Sequence, residues 1–158
     1  MMQTYPVVPY VPTPMPVARK MLELAKAGPG DVLYDLGAGD GRIVVMAVKE
    51  FGVSKAYGVE LRHDLVEEAR RKIREEGVEG KAVIVEADMF KVDIREASIV
   101  TLFLLTSVNR RLKPKLESEL RPGTRIVSHE FQIPGWSPLI SANIYDGVIM
   151  HSLYLYVR

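Results

Sequence analysis

Apolar residues along this chain alternate between two spacings, which predicts strands and helices in turn. Short, nearly continuous apolar runs read as buried strands over Val32 to Leu36, Ala56 to Val59, Ala82 to Val85, Ser98 to Leu105 and Thr124 to Phe131. Helical spacing appears between them. Val17, Met21, Leu24 and Ala25 share one face of a helix expected from about Pro14 to Ala27, with Thr13 as N-cap and Pro14 at its first position. Val44, Ala47, Val48 and Phe51 point inward on a second helix beginning at Arg42. Asp64 and Glu67 form a capping pair for a third, which runs to Glu76 and stops at Gly77. A fourth is expected from about Leu112 to Leu120, before the turn Arg121-Pro122-Gly123. The end of the chain differs: Asn143 to Tyr145 and Val148 to Val157 flank Asp146-Gly147, a hairpin signal. The pattern as a whole predicts an α/β fold with a mostly parallel seven-stranded sheet and a C-terminal antiparallel hairpin.

Composition narrows the function classes. A chain of 158 residues, 47% apolar, is the size of one domain with a sizeable core. Lys+Arg 21 against Asp+Glu 20 leaves no electrostatic bias towards nucleic acid or an anionic membrane. Without cysteine, neither a disulfide framework nor thiolate metal ligation is available. His63, His129 and His151 are too scattered along the chain to propose a metal site. No apolar run approaches membrane-spanning length and the N-terminus lacks a signal-peptide layout, so a cytoplasmic location is expected.

The candidate chemistry starts at Tyr34-Asp35-Leu36-Gly37-Ala38-Gly39-Asp40-Gly41-Arg42. A buried strand breaks into three glycines at alternate positions and enters a helix, so backbone can turn sharply and come close to a ligand. The dinucleotide fingerprint needs a third glycine at the position held here by Arg42; the glycine falls one residue earlier, at Gly41. Asp35, two residues before the first glycine, would repel a pyrophosphate and suits a ligand with a cationic ammonium head. S-adenosylmethionine fits that loop better than a dinucleotide does; the alternative is a glycine-rich turn with no ligand. Two further acids favour the ligand. Glu60 ends the second strand, where a carboxylate accepts from ribose hydroxyls, and Asp88 follows the third, placed for an adenine amine beside Met89 and Phe90.

These residues lie in a chain that resembles the small archaeal protein-lysine methyltransferases of broad specificity, relatives of mitochondrial lysine methyltransferases. The resemblance spans nearly the whole sequence. It is carried by Pro9-Tyr10-Val11-Pro12-Thr13-Pro14, the glycine loop, Phe103-Leu104-Leu105-Thr106-Ser107-Val108-Asn109, Ser128-His129-Glu130-Phe131 and Gly135-Trp136. It implies a Rossmann-like class I methyltransferase fold, with S-adenosylmethionine held by Asp35, Gly37, Gly39, Glu60, Asp88 and Met89. It also implies that the proline-rich arm, residues 1–13, forms a lid through Tyr10 and Thr13 over the methionine end of the cofactor, with residues 14–158 as the methyltransferase domain; a solvated tail is the alternative.

Substrate signals are weaker. After the fourth strand there is no proline pair to shape a slot for a planar base, and no insertion is long enough to enclose a small acceptor. An open site suits a lysine presented by another protein, with self-methylation as a further outcome. Neither a nucleic-acid nor a membrane partner is expected, and a monomer is. His129 and Glu130, at the end of the fifth strand, are candidates for proton removal. Thr106 and Asn109 are candidates for substrate contact, and Trp136 either lines a lysine channel or fills a core edge. An RNA methyltransferase and a non-catalytic cofactor-binding module remain the competing classes.

Overall fold

The structure, a computed structural model, describes residues 10–158. In chain order come α1 (Met15–Leu24), β1 (Val32–Leu36), α2 (Arg42–Phe51), β2 (Lys55–Glu60), α3 (His63–Glu75), β3 (Ala82–Glu86), β4 (Ile99–Leu102), α4 (Thr106–Glu119), β5 (Arg125–His129), β6 (Ile140–Tyr145) and β7 (Met150–Val157). The strands form one seven-stranded sheet in the order β3-β2-β1-β4-β5-β7-β6. Pairing is parallel from β3 to β5, and antiparallel where β7 meets β5 and β6. This is the predicted architecture. The first nine residues of the proline-rich arm lie outside the described residues.

Two apolar layers explain the continuous apolar runs in the strands. Val17, Met21 and Leu22 of α1, Val44 of α2 and Val66 of α3 pack on one face with Leu33, Ile99 and Leu153. Leu112 and Leu116 of α4 pack on the other with Leu36, Val100, Leu102 and Ile126. β1 and β4 thus bury side chains on both faces, which leaves their alternate positions no reason to be polar. No helix among the described residues is long and apolar enough to cross a membrane.

Several element ends differ from expectation, each for a local reason. Thr13 does not cap α1: Pro14 is the N-cap, no side chain caps the helix, and the Thr13 hydroxyl is engaged elsewhere. The same helix stops at Leu24, short of Ala27, and Lys26 turns the chain with a positive φ of 52°. The Asp64–Glu67 capping pair does not form either. Arg62 is the N-cap of α3, and Asp64 sits inside its first turn, ion-paired to Arg62 at 2.8 Å. Instead the Glu60 carboxylate accepts the N–H groups of Leu61 and Arg62, at 2.9 and 3.0 Å, just ahead of that helix. β4 ends at Leu102, not Leu105, and α4 begins at Thr106, well before Leu112. Pro114, which suits the first turn of a shorter helix, therefore lies in the interior of α4, where it removes one backbone hydrogen bond. β5 ends at His129 because Glu130 adopts φ 69°. In the hairpin, β6 begins at Ile140, ahead of Asn143, and β7 at Met150, after Val148.

One packing requirement had no sequence signal. Gly58 sits mid-strand in β2, where a Cβ would come within 2.6 Å of Ala38 Cβ and 2.8 Å of Ile84 Cδ1. The glycine loop and α2 can rest against the sheet only because that position is bare. Gly58→Ala is expected to destabilise the fold by about 1–3 kcal/mol, as overpacking does. Thermal denaturation should show a midpoint several degrees lower, and an unchanged midpoint would mean that the loop yields freely.

Candidate active site

A crevice opens above the C-terminal ends of the parallel strands, where strand order reverses: β1 has β2 on one side and β4 on the other. Open α/β sheets bind ligands at such switch points because the following loops splay apart there. One part of the crevice, about 380 Å³, is walled by Asp35, Gly37 and Ala38, by Tyr10 to Thr13 of the arm, by Arg42 and Glu60, and by Phe103, Leu105 and Phe131. A second part, about 300 Å³, shares Gly37 and Glu60 and continues to Leu61, Asp88, Met89, Phe90 and Arg111. Together they make one elongated trough across the edge of the sheet.

The glycine loop is held by its neighbours. Gly37 and Ala38 donate their N–H groups to the Val59 carbonyl, both at 2.9 Å, which extends the β1–β2 pairing past the strand. Gly39 donates to Glu60 Oε1 at 2.8 Å. Gly39 has φ 57°, and a Cβ there would run into the Tyr10 ring at 2.4 Å, so the arm closes directly on the loop. Gly41, at φ 82°, is the N-cap of α2, and a Cβ on it would meet Ala69 Cβ at 2.9 Å. The displaced third glycine therefore serves helix–helix packing between α2 and α3.

The arm is fastened at three points. The Tyr10 hydroxyl, whose pKa burial lifts to about 12, accepts the Asp40 N–H at 3.0 Å. Arg42 donates to the Thr13 carbonyl at 3.0 Å while gripping Asp40 with its Nε and Nη2. Burial opposes ionisation of Asp40, but hydrogen bonds from Arg42 and Lys72 win and hold its carboxyl well below the usual range. The third point is the Thr13 hydroxyl, 3.1 Å from His129 Nδ1.

Asp35 is electrostatically unusual. Its side chain is buried and accepts one hydrogen bond, from Thr101 Oγ1 at 2.9 Å. Burial raises its pKa to about 7; the Thr101 bond opposes that shift, and Glu60 and Asp40 add repulsion. No lysine or arginine pairs with it among the described residues. Asp88, which lines the second part of the trough, uses Oδ1 to accept the Phe90 N–H at 2.9 Å.

The sheet brings together two of the three histidines that are far apart in the sequence, while His63 stays apart, on Glu86. β7 pairs with β5 in the register His129↔Leu153, and this brings His129 Nε2 to 2.8 Å from His151 Nδ1. Glu130 Oε1 lies 3.0 Å from the same His151 nitrogen. His151 Nε2 is 2.6 Å from Asp146 Oδ2. His129 is fully buried, with the Phe103 ring tilted against it at 4.0 Å between centroids. Burial, and then the neighbouring His151, draws the pKa of His129 down to about 4. Neither His129 nor Glu130 lines the crevice.

The expected substrate residues separate. Thr106 is exposed in the first turn of α4, beside Leu105. Asn109 is completely buried: its Nδ2 donates to the carbonyls of Phe131 and Gln132 at 3.3 and 3.2 Å, so it braces the loop after β5. Trp136 is not among the residues that wall the crevice; it lies against Tyr156 and under the Arg158 guanidinium near the end of β7, with its Nε1 donating to Glu117. It fills a core edge. Sequence reading missed the apolar walls Phe103, Leu105 and Phe131, and it missed Thr101. Phe103, Leu105 and Phe131 stood inside two distinctive segments, but an apolar run does not reveal which of its members escapes the core.

Comparison with known proteins agrees with this geometry. Residues 35–140 match the model of the ANTKMT methyltransferase domain. A protein-lysine N-methyltransferase of Saccharolobus islandicus (strain REY15A) is 55% identical over 156 residues, 99% of this chain and 97% of its own. The adenine nucleotide translocase lysine N-methyltransferase of Mus musculus is 38% identical over 84% of this chain, which spans only 57% of that protein's length. Among solved structures, an RNA methyltransferase from Salinibacter ruber in complex with S-adenosyl-L-homocysteine superposes with a TM-score of 0.87 at 44% identity, covering 93% of both chains. A match over two thirds of its length, with the parallel sheet and the glycine loop at its switch point, shows that the chain belongs to the ANTKMT methyltransferase-domain family.

Proposed function

We propose that this protein transfers methyl groups from S-adenosylmethionine to lysine side-chain amines of other proteins, over a broad range of acceptors and including its own lysines. The observation that carries the reading is end-to-end identity of 55% with a chain that is named a protein-lysine N-methyltransferase.

The residues suit the cofactor. Asp35 is a buried carboxylate at the trough wall with no cationic partner among the described residues, an arrangement that a cationic ligand relieves. Gly37 leaves backbone bare beside it, Gly39 lies under the Tyr10 ring with its N–H on Glu60, and Tyr10 and Thr13 close that end. Further along, Glu60 retains acceptor capacity for ribose hydroxyls, and Asp88 with Met89 would hold the adenine. When bound, S-adenosylmethionine supplies an electrophilic methyl group on its sulfonium.

The protein's own part is alignment and dehydration. Two reactants held at near-attack distance need little further help from acid–base groups. A lysine must lose its proton first, at a cost of about 4.6 kcal/mol at pH 7 from its usual pKa. Phe103, Leu105 and Phe131 form an apolar wall that takes up a lysine stem and strips water from the amine, favouring its neutral form. Thr106, exposed and next in the chain to Leu105, is read as a contact for the acceptor. His129 and Glu130, turned away from the trough, are read as positioning Thr13 and the hairpin rather than as bases. The arm is read as a lid.

A second reading, RNA methylation, is favoured by the name of the Salinibacter ruber relative. Against it stands a net charge of +1, without the excess of basic residues expected of a nucleic-acid partner. Incubation with tritiated S-adenosylmethionine and a cell lysate separates the two. Label is expected on lysines of several proteins, located by mass spectrometry; label on RNA alone would replace the reading.

The cofactor pocket makes two further predictions. Folding lifts the Asp35 pKa from 3.8 to about 7, so this group favours the fold at low pH and its contribution is lost as pH rises towards 7. A cationic ligand needs the ionised form, so affinity should climb between about pH 5.5 and 7 and then level off. Calorimetry should show that climb in the native protein and none in Asp35→Asn. Tyr10→Ala should weaken cofactor binding roughly tenfold, about 1.4 kcal/mol, through loss of the hydroxyl acceptor and the ring over Gly39. Its melting temperature should hardly change; unaltered affinity would favour the solvated-tail reading of the arm.

A further inference from the structure

The histidine pair and its two acids form a constellation that methyl transfer does not use. His129 Nε2, His151 Nδ1 and Glu130 Oε1 face one another at 2.8, 3.0 and 3.5 Å. Donors bound about 2.05 Å from one tetrahedral zinc ion stand roughly 3.3 Å apart, so these atoms need shift by only a few tenths of an ångström. The outer ring is also in place. Asp146 Oδ2 holds His151 Nε2 at 2.6 Å, and Thr13 Oγ1 meets His129 Nδ1 at 3.1 Å. A carboxylate or hydroxyl on the far nitrogen is the usual device for orienting a ligating imidazole. Asp146 is itself fixed, since its Oδ1 accepts the Val148 and Ile149 N–H groups at 2.7 and 2.8 Å.

Two further observations point to a cation. Glu130 adopts φ 69°, a region that L side chains avoid and that recurs at functional sites. That turn places its carboxylate against His151. And among the described residues neither Glu130 nor Asp146 pairs with a lysine or arginine; their ion-pair partners are the two histidines alone. The two negative charges of the Glu130 and Asp146 carboxylates are balanced by one divalent ion.

We propose that His129, His151 and Glu130 bind one zinc ion, with Asp146 and Thr13 as the outer ring. Two nitrogens and one oxygen suit zinc better than magnesium or calcium, which prefer oxygen throughout. The half-exposed Glu130 leaves a way in and a fourth position for water. The ion would clasp the β6–β7 hairpin to the end of β5 and, through Thr13, to the anchor of the arm. Its role is structural.

The test uses the full chain, stripped with a chelator and dialysed. Titration with zinc chloride against a chromophoric chelator should show one equivalent bound, and cobalt should give the strong visible bands of a four-coordinate site. Glu130→Gln and His151→Ala should each lose the site, and Asp146→Asn should weaken it about 10–100-fold. His63→Ala should bind normally, although His63 lies on Glu86 at the surface. Circular dichroism checks that the variants fold, and the native protein's stoichiometry and cobalt spectrum need no variant. Absence of stoichiometric zinc in the native chain would overturn the proposal and leave a His151 imidazolium shared between two acids. Zinc that is lost in His63→Ala and kept in His151→Ala would overturn it equally.

Discussion

The Glu60 carboxylate is the hinge of the site. One oxygen takes the Gly39 N–H and the other takes those of Leu61 and Arg62, so a single side chain ties the glycine loop after β1 to the entry of α3 after β2. Hydrogen bonds to an ionised acceptor are about twice as strong as neutral ones, and three of them converge here. The trough has its shape because these two loops are held apart from β4 yet tied to each other. Any ribose contact by Glu60 is made by a group whose position its own backbone donors have already fixed.

Against that fixed edge the protein sets a charge it has not neutralised. Asp40 is fully paired, with Arg42 and Lys72 on its oxygens, whereas Asp35, a few residues away, has a single hydroxyl. The contrast divides labour between two neighbouring acids. Asp40 holds the arm and the start of α2 in place. Asp35, buried with that one partner, stays costly to ionise.

The opposite wall is set by long-range pairing. Thr13 connects the arm to His129, His129 connects to β7 through His151, and Asn109 props the loop that carries Phe131. Arm, hairpin and apolar wall therefore share one set of contacts. A change at the hairpin tip reaches the crevice through three hydrogen bonds in series, Asp146 to His151, His151 to His129 and His129 to Thr13, and not through packing alone.

Some of this was legible in the chain itself because it is local. A strand that runs into alternate glycines and then a helix specifies its own geometry, and acids at successive strand tips fall on one sheet edge whenever the strands are parallel. Hence the gathering of Asp35, Gly37, Glu60 and Asp88 around one crevice was legible from sequence, as was the hairpin at Asp146-Gly147. Other features were decided only by tertiary structure. Thr13 gave up a helix cap for a histidine 116 positions away, and Asn109 turned inward to loop carbonyls. Trp136 went against Tyr156, and two distant histidines met across β5 and β7. Each of these depends on which strand lies beside which and in what register, and no short-range pattern of apolar and polar residues carries that information.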